Sequence, residues 1–178
     1  CIEFNEPFRF IDIANDAAFL AMDLEDRGMH ALANRFINSW IEQTNEYQAM
    51  PLLGFYKAYR AMVRAKVNLF RLSADTSSAE RADIMATYRS YANLAESYCQ
   101  IPARLLAITY GTSAIGKSTV AMQLVEQLGA IRVRSDVERK RLFGEQPQQH
   151  KNQPNSGIYT ADANLATYQR LHLLAQQA

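Results

Sequence analysis

Residues Tyr110–Leu124 read YGTSAIGKSTVAMQL, and this stretch decides the fold expected for the second half of the chain. From Gly111 to Ser118 it matches the pattern G-x-x-x-x-G-K-[ST] without a mismatch. Glycines permit backbone angles and a close approach that a Cβ atom would obstruct. A lysine followed by a serine or threonine supplies a positive charge and a hydroxyl for phosphates and Mg²⁺. The stretch therefore predicts a loop that binds nucleotide phosphates, and a fortuitous glycine turn is the alternative.

Each position of this loop has an expected role. Lys117 is predicted to contact the β- and γ-phosphates of ATP, and the hydroxyl of Ser118 is predicted to ligate Mg²⁺. The main-chain amides at the start of the following helix favour an anion. The predicted phosphate-binding residues are Gly111, Thr112, Ser113, Ala114, Ile115, Gly116, Lys117, Ser118 and Thr119.

The segments around the loop occur in the order of a parallel α/β fold. The apolar run 105–109 predicts a strand before the loop, and residues 117–128 predict a helix that ends at Gly129. Residues 131–134 predict a second strand, and a further helix is expected from Asp136 to Phe143. This order is the opening of a parallel sheet. We therefore predict an α/β protein whose second part holds the first β-α-β-α units of a parallel-sheet P-loop NTPase domain.

The first half of the chain has the apolar spacing of helices. After a short predicted strand at residues 1–5, apolar side chains follow the 3.6-residue period as far as residue 98. The composition changes at residues 100–102 (QIP), where we place a domain boundary. A helical domain at 1–102 and a P-loop domain at 103–178 follow, with a polar loop at 144–157 and a last helix from about residue 160.

A second group of polar residues, RSDVERKR at 134–141, follows the second predicted strand. Ligands of open α/β sheets bind at the carboxyl ends of strands, so Asp136 is expected at the same edge as the glycine loop. A carboxylate there can accept the proton of a hydroxyl that attacks the γ-phosphate. Arg139, one helical turn further on, can hold an anionic group. In the alternative, Asp136 caps the helix together with Ser135, and the basic residues form a solvated face.

Composition and charge limit the classes of function. The chain has 178 residues, of which 48% are hydrophobic and 21% charged, and it contains two cysteines, too few for a disulfide framework. No apolar run is long enough to span a membrane. Two cysteines without a disulfide framework or metal-ligand spacing suit a reducing compartment, so a cytoplasmic protein is expected. His30, His150 and His172 have no partners at metal-ligand spacing.

The charge differs between the two halves. Residues 1–102 hold 10 Lys and Arg against 13 Asp and Glu, a net charge of −3, and residues 103–178 hold 9 against 5, a net charge of +4. A basic half that carries the glycine loop suits phosphate binding. Four net charges are too few for a nucleic-acid-binding domain, so nucleic acid is not an expected partner.

The sequence of the second half resembles a known group of enzymes. Residues 111–144, GTSAIGKSTVAMQLVEQLGAIRVRSDVERKRLFG, are similar to the start of small P-loop kinases, the group that includes gluconate kinases and polynucleotide kinases. In polynucleotide kinases an Asp after the second strand acts as base, and an Arg three residues on contacts substrate phosphate. The resemblance implies these catalytic roles for Asp136 and Arg139, beside Lys117.

The first half resembles a second family. Residues 1–36 and 55–67 (FYKAYRAMVRAKV) are similar to the helical C-lobe of aminoglycoside-phosphotransferase-like kinases. The joined order resembles the bacterial bifunctional aminoglycoside phosphotransferase/ATP-binding proteins over essentially the whole chain. That family's H-G-D loop and metal-binding Asp would lie upstream of Cys1, and the lid of the P-loop kinase would lie beyond the other end. The resemblance therefore implies a fragment truncated at both ends, inactive alone and weak in nucleotide binding.

These observations predict a kinase part that uses ATP and Mg²⁺. In the complete protein it would transfer the γ-phosphate to a hydroxyl of a small, sugar-like acceptor. Two alternatives stay open, namely a nucleotide-binding regulatory or assembly module without an acceptor, and a polynucleotide 5′-hydroxyl kinase. The sequence does not predict the oligomeric state.

Overall fold

The computed structural model describes Glu6 and residues 10–100, 105–144 and 157–177. The strand predicted at 1–5, residues 101 and 102 of the predicted boundary, and nearly all of the loop predicted at 144–157 lie outside these residues. Short 3-10 helices lie at Tyr47–Ala49 and Gly157–Tyr159. The α-helices are α1 (Ile13–Asp26), α2 (His30–Thr44), α3 (Met50–Leu69), α4 (Ser78–Ser97), α5 (Lys117–Leu128), α6 (Ser135–Leu142) and α7 (Ala161–Gln177).

Local capping explains where several helices begin and end. The carboxylate of Asp12 accepts a hydrogen bond from the amide of Ala14, 2.9 Å away, at the start of α1. The hydroxyl of Ser77 accepts one from the amide of Glu80, 3.2 Å away, at the start of α4. Such caps satisfy amides that have no carbonyl partner within the helix. Helix α2 ends at Asn45, whose φ of 64° is left-handed and stops the helical hydrogen bonds.

Helices α1, α3 and α4 pack closely because alanines occupy their contacts. Ala61 of α3 is fully buried in one cluster with Met22 of α1 and Ala95 of α4. A second cluster contains Ala17, Ala18 and Ala21 of α1 together with apolar residues of α2. Small side chains let helix axes approach, so the volume at these positions is restricted. Three ion pairs flank the α1–α3 contact: Asp16–Arg60, Asp23–Arg64 and Glu25–Lys57.

Overpacking this contact is expected to destabilise the chain. In Ala61→Leu the extra methyl groups have no space, because Ala61 is 0% exposed between α1 and α4. We expect the free energy of unfolding to fall by about 1–3 kcal/mol, measured by urea denaturation. Ala86→Leu, at an exposed position of α4, is the matched control and should change stability by less than about 0.5 kcal/mol. Equal losses in the two variants would contradict the packing of α3.

The predicted parallel α/β sheet is wrong for the residues that the structure describes, which are mostly helical and contain no strand. Residues 105–110 are neither helix nor strand, and their apolar side chains are exposed, Leu105 by 83% and Ile108 by 83%. Apolar periodicity indicates a strand only if a neighbouring strand supplies hydrogen bonds. Here a main-chain amide of the second predicted strand bonds to a helix instead. The amide of Arg132 donates to the Asn38 side chain of α2 at 2.7 Å.

Helix α2 contacts both halves of the described chain. Its buried face, which includes Ile37 and Ile41, packs with α1 and also with Leu174 of α7. Helix α5 packs against α2 as well, and Ile131 and Val133 after α5 lie against the same core. The second half is therefore packed onto the helical region through α2. Within the described residues, no helix combines the length and apolar character needed to cross a membrane.

Candidate nucleotide site

The glycine loop ends directly in helix α5. Gly116 is the residue before the helix and has a left-handed φ of 94°, and Lys117 is the first helical residue. The amides of Thr119 and Val120 donate to the carbonyl of Gly116, at 3.0 and 3.1 Å. First-turn amides lack a carbonyl four residues earlier in the helix, so they are directed outward from its N-terminus. The earlier amides of this first turn and the helix dipole favour a negatively charged group at this position.

The backbone of the loop needs its glycines. Gly111 has a φ of 147°, and a Cβ atom there would lie 3.1 Å from Cγ2 of Ile115. Gly116 has open space around it, so its positive φ is what selects glycine. Ala114 also has a positive φ, 64°, which is strained for a residue with a side chain. Successive residues of right- and left-handed conformation turn their amides to one side, which suits an anion.

Lys117 is held beside the loop by two main-chain carbonyls. Its ammonium group donates to the carbonyl of Gly111 at 2.8 Å and to that of Thr112 at 2.6 Å. The charge of Lys117 is thus kept close to the loop by contacts that the loop itself supplies.

An open concavity of about 390 Å³ lies at the loop, lined by Ser113, Ala114, Gly116, Lys117 and Ser118. This volume falls within the range of small-molecule sites. Among the described residues, no three His, Cys, Asp or Glu side chains come together as a metal site. A Mg²⁺ ion held by one serine and by the phosphates of its ligand needs no such cage. The loop therefore fits a phosphate group with Mg²⁺ at Ser118.

Asp136 lies in the first turn of α6. Its carboxylate accepts hydrogen bonds from the Lys140 ammonium at 2.8 Å and from the Tyr159 hydroxyl at 3.2 Å. Partial burial raises the pKa of Asp136, but Lys140, Tyr159 and Arg134 together lower it further, so that the net pKa lies below its usual value. Asp136 is therefore ionised at neutral pH and can accept a proton. Its contacts are with α6 and the 3-10 helix at Gly157–Tyr159, whereas those of Lys117 are within the loop.

Arg139 lies inside the contact between α6 and α7. It is 8% exposed and donates to the carbonyl of Ile158 at 3.4 Å and to Asn164 Oδ1 at 2.5 Å. Its guanidinium also lies over the ring of Tyr159, 5.1 Å from the centroid. In this arrangement Arg139 joins α6 to the segment after it.

The sequence reasoning missed a group of polar contacts between the two halves. Asn34, Asn38 and Glu42 lie four residues apart on α2 and form a polar stripe on that helix. Asn38 donates to the carbonyl of Ala130 at 3.0 Å and accepts from the amide of Arg132. Glu42 pairs with Arg132 and Arg134 at 3.5 and 3.3 Å. Asparagine side chains on the buried face of an amphipathic helix were the sequence signal that could have predicted these contacts.

A buried carboxylate, Glu138, completes this connection. It is 0% exposed and accepts hydrogen bonds from Arg141, from the Tyr47 hydroxyl at 3.3 Å and from Arg170 at 3.2 Å. Burial first, and then the charge of Glu138, raise the pKa of Tyr47 to about 12. Sequence reasoning treated the run 134–141 as a site or a solvated face and did not predict a buried carboxylate there.

The class of the second half follows from its loop and from comparison with known families. Residues 106–178 match the family AAA_33, described as an AAA domain. Together with the glycine loop at the start of α5, this match identifies residues 106–178 as a P-loop NTPase-like domain. The prediction of a P-loop domain in this half is thereby confirmed at that level.

The chain is also similar to curated proteins. It is 37% identical over 142 residues to uncharacterized proteins of Mycobacterium tuberculosis and Mycobacterium bovis, a match that covers 80% of this chain and 28% of each relative. The chain thus spans little more than a quarter of their length. The match is longer than residues 106–178, so it includes part of the helical region. No solved structure matches significantly.

Proposed function

We propose that the chain is the nucleotide-binding part of an ATP-dependent phosphotransferase. The observation that carries this proposal is the loop from Gly111 to Ser118, whose left-handed glycines lead into the N-terminus of α5. Its amides and Lys117 would hold the phosphates of ATP, and residues through Thr119 belong to this cradle. Mg²⁺ at the Ser118 hydroxyl would neutralise charge that develops on the phosphates.

Asp136 is the proposed general base. Its ionised carboxylate would accept the proton of an acceptor hydroxyl as the oxygen attacks the γ-phosphate. The bond between the γ-phosphorus and the bridging oxygen breaks and ADP leaves. The acceptor gains the phosphoryl group, and its proton passes to Asp136. Lys140 and Tyr159 keep the carboxylate ionised and in place. Arg139 is proposed to contact an anionic part of the acceptor, for which its guanidinium would have to leave Ile158 and Asn164, its partners in the structure.

The acceptor is proposed to be a small, sugar-like molecule with a free hydroxyl. The relatives are uncharacterized, so the acceptor must be found by screening. In the complete protein that contains this chain, transfer of labelled γ-phosphate from Mg-ATP can be followed over simple sugars, polyols, aminoglycosides and an oligonucleotide with a 5′-hydroxyl end. Labelling of the oligonucleotide alone would favour the polynucleotide kinase alternative instead.

Asp136→Asn separates a kinase from a nucleotide-binding regulatory module. We expect phosphotransfer to fall by about a hundredfold or more, because amide nitrogen and oxygen cannot take the proton. Binding of Mg-ATP, measured by calorimetry, should be unchanged, since the described contacts of Asp136 do not include the loop. A regulatory module would keep all its nucleotide responses in this variant. Asp162→Asn, at an exposed position of α7, is the matched control.

The aminoglycoside-phosphotransferase-like character of the first half also belongs to the proposal. The support for it is that residues 13–97 form four successive helices, as a helical C-lobe would require. We also propose a cytoplasmic location, because two cysteines suit a reducing compartment.

A further inference from the structure

Glu138 is the most deeply buried ionisable side chain described in the second half, and the proposed chemistry does not use it. Its side chain is 1% exposed, whereas that of Asp136, two residues earlier on the same helix, is 46% exposed. A carboxylate so far from water persists only when charged partners and hydrogen bonds surround it. The role of Glu138 can therefore be inferred from the residues that it contacts.

Those partners come from three separate parts of the chain. Arg141 belongs to α6, Arg170 belongs to α7, and Tyr47 belongs to the short 3-10 helix after α2. Arg141 also donates to the main-chain carbonyl of Glu42 at 2.5 Å, and Arg170 donates to Asn45 at 3.1 Å. The two arginines thus tie Glu138 to the C-terminal end of α2. We call Tyr47, Glu138, Arg141 and Arg170 the buried junction.

The geometry of a helix connects this junction to Asp136. Successive residues of an α-helix are rotated by about 100°, so residues two apart point to nearly opposite sides. Glu138 and Arg141 are three apart and share the side that faces the helical region. Asp136 and Lys140 are four apart and share another side, where the 2.8 Å ion pair forms. Contacts that hold the Glu138 side of α6 in the junction therefore also fix the direction in which the Asp136 side points.

We propose that Glu138 is a positioning residue, which anchors α6 to the helical region and so sets the orientation of the Asp136 carboxylate. This inference rests on the proposed role of Asp136 as base. The helical region would then be required for phosphotransfer even though it contributes no group to the glycine loop. Misplacing a reacting group by about 1 Å costs about a hundredfold in rate, so a small rotation of α6 is sufficient.

The test is Glu138→Gln, with the carboxylate of Asp136 in this chain as the reporter and with phosphotransfer measured in the complete protein. The shape of the side chain is kept, but the charge that holds Arg141 and Arg170 is lost. With carbon-13-labelled aspartate, the Asp136 signal is identified by its absence in Asp136→Asn. We expect the pKa of Asp136 to rise towards its ordinary value, because a rotated α6 weakens the contacts with Lys140 and Tyr159. Mg-ATP affinity should be unchanged, and phosphotransfer should fall by about tenfold to a hundredfold.

Two further variants keep the test decisive. Tyr47→Phe removes one hydrogen bond to Glu138 and keeps the ring, so it should fold and should shift the Asp136 titration in the same direction by less. Glu96→Gln, at an exposed position of α4, makes the same chemical change away from the junction and should shift nothing. An unchanged Asp136 titration in every folded junction variant would overturn the proposal. Intact phosphotransfer in Asp136→Asn would instead overturn the proposed function, without affecting the link between Glu138 and the orientation of Asp136.

Discussion

Mg-ATP binding is expected to weaken by about a hundredfold in Lys117→Ala. Lysine to phosphate contacts are charge-assisted and contribute about 1.5–3 kcal/mol each, and a loss of about 3 kcal/mol corresponds to this change in Kd. The ammonium group already lies beside the concavity, bonded to the carbonyls of Gly111 and Thr112. Binding therefore needs only a short movement of a side chain. Calorimetry with Mg-ATP on the wild type and the variant measures the difference.

This variant should remain folded, which makes the result interpretable. The two hydrogen bonds of Lys117 are at the exposed surface, and exposed substitutions change stability by about 0.5 kcal/mol or less. Lys66→Ala, at an exposed position of α3, is the control for loss of a lysine charge and should bind Mg-ATP normally. Equal affinity in wild type and Lys117→Ala would mean that the loop does not hold phosphates.

The sequence predicted local features of the site because local rules produce them. The bounds of α5, residues 117–128, follow from glycines on both sides, and the structure places Gly116 and Gly129 there with φ of 94° and 66°. Gly129 ends the helix in the left-handed conformation that glycine adopts without cost. No distant contact is needed for these predictions.

The strands predicted at residues 105–109 and 131–134 are wrong because a strand depends on a neighbouring strand that sequence periodicity does not identify. In residues 131–134 apolar and polar residues do alternate in their packing, since Ile131 and Val133 both pack against the core. The amide of Arg132 in this segment and the carbonyl of Ala130 just before it, however, bond to Asn38, more than 90 positions earlier. The burial of Glu138 was not predicted for the same reason, because its partner Tyr47 is 91 positions away. Only the three-dimensional arrangement shows which polar residues meet at that separation.

Asn38→Leu is expected to destabilise the chain by about 2–4 kcal/mol. The Asn38 side chain donates to the carbonyls of Asn34 and Ala130, both at 3.0 Å, and accepts from the amide of Arg132 at 2.7 Å. Leucine has nearly the same shape but makes none of these bonds. The amide of Arg132 and the carbonyl of Ala130 would be left unpaired in a half-buried position, and each unpaired group costs about 1–3 kcal/mol. Urea denaturation measures the loss.

Asn34→Leu is the matched control, because it changes the same residue type on the same stripe of α2. Asn34 makes one side-chain bond to this region, to the carbonyl of Glu126 at 3.2 Å, so its loss leaves one group unpaired instead of two and should cost about half as much as Asn38→Leu. Hydrogen exchange adds a local measurement, in which the Arg132 amide should lose protection in Asn38→Leu and keep it in Asn34→Leu. Equal costs and equal protection in the two variants would show that Asn38 does not supply the main-chain partner of this segment. The segment connects α5 to α6, so a large effect at Asn38 would show that the helical region stabilises the connection between these two helices.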